Sequence, residues 1–121
     1  MVYGPWQHEE EAVYKRLLEE LEQKEPEPMA IKEYDVLFVE DVAESIYYFL
    51  IRDEEVTEVL FENDNPKAME ELIKELNLTC LTIVEPEEVQ KLTKYKVPQQ
   101  HTIKEGIQAQ RDQLYHRLKI D

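Results

Sequence analysis

Six prolines, at positions 5, 26, 28, 66, 86 and 98, decide where a regular backbone ladder can run in this chain. Proline has a fixed φ and no N–H, so it opens a helix or ends one but does not sit inside it. Between the arm MVYGPWQH and Pro26, residues Glu9 to Gln23 place Val13, Tyr14, Leu17, Leu18 and Leu21 at helical spacing on one face. Glu9, Glu10 and Glu11 fall in the first turn of that helix, where carboxylates suit the positive end of its dipole. KEPEPM, residues 24–29, ends it as a short semi-rigid connector.

Ile31 to Val39 reads as a strand, and YDVLFV is apolar on both faces, as in a covered central strand. ESIYYFLIR fits a helix through Val42, Ile46, Phe49 and Leu50. Its β-branched and aromatic content favours a strand, with Arg52 to Glu55 turning it into the strand-like VTEVLFE. NDNPKAMEELIKELNL has the strongest local pattern. Asn65 caps, Pro66 takes the first position, Met69, Leu72, Ile73 and Leu76 form the apolar stripe, and Asn77 closes in the left-handed region. LTCLTIV predicts a fourth strand, with Leu81 and Ile83 or their neighbours opposite Leu72 and Ile73 in the core. PEEVQKLTKY predicts a short helix after Pro86, and Pro98 separates it from a last helix over about 101–119. There Ile103, Ile107, Leu114 and Leu118 define an apolar face, with Tyr115 beside it.

The expected order is α-β-β-β-α-β-α-α, an α+β domain with a mostly antiparallel four-stranded sheet packed with helices. Its first five elements share the order of double-stranded-RNA-binding domains. The second helix would then carry the phosphate contacts, yet PKAMEELIKEL holds three glutamates, which excludes that reading.

At 121 residues, 42% hydrophobic and 35% charged, the chain suits one domain, 1–121, rather than two undersized cores or a disordered segment. Its longest apolar run, Ile46 to Ile51, falls well short of the roughly 20 residues of a membrane span. MVYGPWQHEEE has neither a basic n-region nor an apolar h-region, so no secretory leader and a cytoplasmic location are expected. With only two glycines, Gly4 and Gly106, glycine-rich phosphate loops are excluded. His8, His101 and His116 lack zinc-site spacing, and Cys80 sits in an apolar stretch as a buried structural thiol. No cofactor is expected.

Charge is distributed unevenly. Residues 1–90 hold 7 Lys or Arg against 25 Asp or Glu, a net of −18, whereas residues 91–121 hold 7 against 3, a net of +4, giving −14 overall. The basic helix therefore suits docking on the acidic body, in cis or exchanged in a homodimer, or on a partner.

Three chemistries bear on these residues. Asp35, Glu40, Asp41, Asp53, Glu54, Glu62 and Asp64 near strand ends would suit a metal-dependent hydrolase or nuclease, but 28 scattered acids juxtapose some by chance. Ser45, the only serine, has no glycine elbow and is expected at a strand edge. His101 and His116 suit the ends of the last helix. Nucleic-acid binding through Lys91, Lys94, Lys96, Lys104, Arg111, Arg117 and Lys119 meets repulsion from the rest of the chain. The composition favours a non-enzymatic acidic module of inhibitor, immunity or adaptor type that meets a basic partner protein. Trp6, an outward Tyr48, Lys104, Arg111 and Arg117 are its candidate contacts.

Overall fold

The computed structural model of the chain describes residues 1–52, 59–80, 87–90 and 93–120. Its elements run β1 (Val2–Tyr3), α1 (Ala12–Leu21), β2 (Ala30–Ile31), β3 (Leu37–Phe38), α2 (Val39–Arg52), β4 (Leu60–Asn63), α3 (Ala68–Leu76), β5 (Thr79–Cys80), α4 (Glu87–Gln90), β6 (Lys94–Val97) and α5 (Ile103–Ile120).

The class is α+β, but the antiparallel four-stranded sheet does not form. The described strands pair as three parallel two-stranded ladders, β1 with β3, β2 with β5 and β4 with β6. A parallel partner cannot be reached by a tight turn, so each strand finds its mate across an intervening helix. Thus Val2 pairs with Leu37 across α1, and Leu60 with Lys94 across α3. The meander expected from neighbouring apolar runs is overturned for this reason.

The largest single correction lies at ESIYYFLIR, which is helical. α2 begins at Val39, directly after β3, and continues to Arg52. Glu40 and Asp41 occupy its first turn and Arg52 its last, matching the dipole at both ends. The stretch expected as one strand over 31–39 is cut to two short pieces, and two strands appear where none was expected. Val2–Tyr3 comes from the N-terminal arm, and Lys94–Val97 overlaps the end of the expected helix PEEVQKLTKY, of which α4 is only Glu87–Gln90. The expected facing residues Leu81 and Ile83, and the start of VTEVLFE, lie outside the described residues, as does the side chain of Cys80.

Around Pro66 the local signals hold at one end of the helix only. Asn65 Oδ1 accepts from Lys67 N at 3.0 Å in a turn ahead of α3. The helix begins at Ala68 with Lys67 as its N-cap, not at Pro66 with Asn65 as cap, whereas Asn77 ends it at φ 51° as expected. Leu78 N then returns to Ile73 O at 3.0 Å, which closes the helix end. α5 opens with a reciprocal capping box: Glu105 N donates to Thr102 Oγ1 at 3.1 Å, and Thr102 N donates to Glu105 Oε1 at 3.0 Å. These bonds also hold the Glu105 carboxyl below the usual range.

The core gathers one cluster from widely separated parts of the chain: Tyr3, Val13, Leu17, Ile31, Val36 and Leu72 meet Ile103, Ile107 and Leu114 of α5. Leu118, the last of the expected α5 stripe, remains 40% exposed. α5 lies so close to β1 that a Cβ at Gly106 would collide with the Tyr3 ring. The Tyr3 hydroxyl is buried there with no hydrogen-bond partner among the described residues.

Leu72 is fully buried, so Leu72→Ala should cost about 2–5 kcal/mol in denaturant unfolding. Tyr3→Phe should be neutral or stabilise by up to about 1 kcal/mol at neutral pH, because it removes an unpaired buried hydroxyl. Burial, then Asp41 and Glu71, push the Tyr3 phenol well above its ordinary value. Its share of stability is therefore complete below about pH 10 and lost as pH rises above that, where the unfolded phenol ionises. The variant should unfold less readily than the parent chain in alkaline titration.

Candidate partner-binding surface

The unusual element is α2, because its two faces are reversed. Val39, Ala43, Ile46 and Leu50 recur at 4-3-4 spacing with Tyr47 and Ile51 beside them, one continuous apolar stripe. All six are exposed, Leu50 at 75% and Tyr47 at 65%. The opposite face buries Asp41 and Ser45 instead. Ser45 is thus an inward helix residue and not a strand-edge one.

α2 stays docked through aromatic and polar contacts. Phe49 packs against Phe61 of β4 and Tyr95 of β6, with ring centroids 5.8 and 4.7 Å away. Tyr48 stacks on Tyr95 at 6.1 Å, and the Arg52 guanidinium lies 4.7 Å over the Tyr48 ring. The outward aromatic is therefore Tyr47 more than Tyr48. At the other end, the buried Asp41 Oδ1 lies 3.2 Å from His101 Nδ1, and Glu40 Oε2 lies 3.5 Å from His101 Nε2. The His101 ring rests on Phe38 at 4.9 Å. His101 thus ties the start of α2 to the segment before α5, and Thr102 is the residue that caps α5.

Trp6 stands 74% exposed on the tight turn Gly4–Gln7, closed by Gln7 N to Gly4 O at 3.2 Å. Two glutamines of α5 hold this turn. Gln110 Oε1 accepts from Gly4 N at 2.9 Å, and Gln113 Oε1 accepts from Trp6 N at 3.0 Å. Sequence reasoning missed both, though a signal was present. The spacing 103, 107, 114 leaves position 110 as the absent member of the stripe, and there Gln110 is buried at 1% exposure.

The basic residues of α5 are not gathered at one place. Arg111 meets Glu20 of α1 in cis, Nε to Oε2 at 2.6 Å and Nη2 to Oε1 at 3.2 Å. Lys104 lines a cleft of about 520 Å³ with Glu71, Lys74 and Glu75. Arg117 is exposed on the last turns, and Lys119 lies 5.4 Å over the Tyr115 ring. The turn that carries Trp6 abuts the start of α2 at Gly4, where a Cβ would lie 2.5 Å from Val39 Cγ1.

The other carboxylates expected near strand ends are dispersed into separate structural contacts. Asp35 accepts from Val36 N and Asn63 N at 2.9 and 2.8 Å, and its partial burial pushes its carboxyl above the usual range. Glu62 lies 3.7 Å from Lys94 and 3.5 Å from Lys96, and Asp64 accepts from Gln99 N at 3.1 Å. Asp53 and Glu54 lie outside the described residues. Among the described residues no group of three His, Cys, Asp or Glu is placed to hold a metal ion, and no helix is long and apolar enough to cross a membrane.

Because Leu50 is 75% exposed, Leu50→Ser should change the unfolding free energy by less than about 0.5 kcal/mol. Phe49→Ala should cost about 2 kcal/mol, roughly half the fully buried value, since its ring is half-buried in the aromatic cluster. Thermal and denaturant unfolding of the two variants side by side checks this contrast. No known protein family matches the chain, and no curated protein matches it in sequence.

Proposed function

We propose that this chain is a non-enzymatic, acidic protein-binding module of inhibitor, immunity or adaptor type, working in the cytoplasm by surface complementarity to a partner with a basic surface. One observation carries the reading: α2 turns its apolar stripe outward and its polar Asp41 and Ser45 inward. A helix stabilised only for its own fold would bury the stripe, since each large aliphatic side chain gains about 1.5–3 kcal/mol on burial. Contiguous exposed apolar surface of this kind marks contact with another chain. The net charge of −14 repels nucleic acid and steers basic protein surfaces toward the module.

The test is a cross-linked pull-down from the native host with the parent chain and with Leu50→Ser/Ile51→Ser. Both should show the same circular dichroism and melting temperature. A protein recovered with the parent chain should be lost with the double variant. Recovery that is equal for the two would show that α2 is not the contact surface.

A further inference from the structure

We propose that Trp6 and the outward stripe of α2 form one composite docking surface for a cationic amphipathic helix of a partner protein; this rests on the protein-binding reading above. The first support is the turn that carries Trp6. Pro5 at its second position and a positive-φ residue at its third follow the type II pattern, whose third position favours Gly or Asn. Here that position holds Trp6 at φ 70°, an outlier for a bulky side chain. The strain persists because surrounding bonds over-determine the turn. Gln110 and Gln113 grip its backbone, and Gln7 Nε2 donates to Val2 O at 2.9 Å while its Oε1 accepts from Gln110 Nε2 at 2.8 Å.

In return the fold gains no buried indole, since Trp6 is 74% exposed. Glycine would make the same turn without strain. A tryptophan held outward by a strained and well-supported turn is suited to entering a pocket on another molecule.

The second support is position. The turn begins at Gly4, which abuts Phe38 and Val39, and Val39 is the first member of the α2 stripe. The turn that carries the anchor thus abuts the first residue of the stripe. The stripe has the 4-3-4 spacing with which one helix receives another, and α2 at 14 residues offers about 21 Å of it.

Charge selects the occupant. Glu40 and Glu44 border the stripe on the Tyr47 side, and the whole chain carries −14. A partner helix with Lys or Arg flanking its apolar face is attracted, whereas a second copy of this chain would bring −14 against −14.

Trp6 is the chain's single tryptophan, so its fluorescence reports the site directly. The probes are three synthetic peptides: a Leu/Lys peptide with helical amphipathic order, a scramble of it, and a Leu/Glu peptide with the same apolar order. The ordered Leu/Lys peptide should shift the emission to the blue and bind at least tenfold more tightly than its scramble, with affinity falling as salt rises. The Leu/Glu peptide should not bind. Trp6→Gly should keep or raise the melting temperature, because glycine suits φ 70°, yet weaken peptide binding at least tenfold by calorimetry. Equal binding of the scramble, or full affinity in Trp6→Gly, overturns the proposal. So does a blue shift produced by protein concentration alone with a dimer in sedimentation, which would make the occupant a second copy. If the peptides fail while Leu50→Ser/Ile51→Ser still loses a host protein, the helical occupant is wrong and the protein-binding reading stands. If both fail, both fall.

Discussion

The docking of α5 on the N-terminal strand is the contact on which the rest of the fold depends. Ile103, Ile107 and Leu114 fill the core beside Tyr3, and Gly106 lets the helix approach the Tyr3 ring without a side chain between them. Gln110, buried in the same face, bonds the backbone of Gly4. The two ends of the chain are thereby fastened to each other, and α1 and α3 pack against α5. Such closure is costly in loop entropy, and it is offset by apolar burial that only the assembled chain provides.

That closure also explains the architecture. With β1 held under α5, β3 pairs parallel to it, and its register Val2 with Leu37 leaves α1 as the crossover. β3 passes directly into α2, whose start is fixed by Gly4 on one side and by the His101 contacts with Glu40 and Asp41 on the other. The aromatic cluster of Phe49, Phe61 and Tyr95 fixes its other half. Held by polar groups and rings on one side, α2 has its aliphatic residues left for the other. The candidate docking surface is thus a direct consequence of how the fold is tied together.

The acidic character and the basic last helix find a partial account in the same arrangement. Arg111 meets Glu20 within the chain, an exposed pair that contributes about 0–1 kcal/mol. Such a pair orients α5 on α1 more than it holds it there, and the apolar face does the holding. The large remaining surplus of carboxylate leaves the surface with a strong net negative field.

By itself the sequence determined those elements whose cause is local. α1 and α3 follow from helical spacing of apolar residues, the end of α3 from Asn77, and the last helix from the break at Pro98 and the stripe beyond it. The T-x-x-E box of Thr102 and Glu105 was equally readable, since it involves four consecutive residues. Tertiary structure alone decided the strand partners, because parallel pairing joins residues far apart and two-residue strands such as Val2–Tyr3 carry no periodicity. It also decided ESIYYFLIR, where β-branched and aromatic residues suggested a strand. Position directly after β3, Glu40 and Asp41 in the first turn, and contacts for Asp41 and Phe49 elsewhere in the fold made it a helix. Local propensity differs by about 1 kcal/mol or less per residue, so packing and pairing overrule it readily. Which face of α2 would be left outward could not be read from its periodicity, because a stripe has the same spacing whether it faces the core or the solvent.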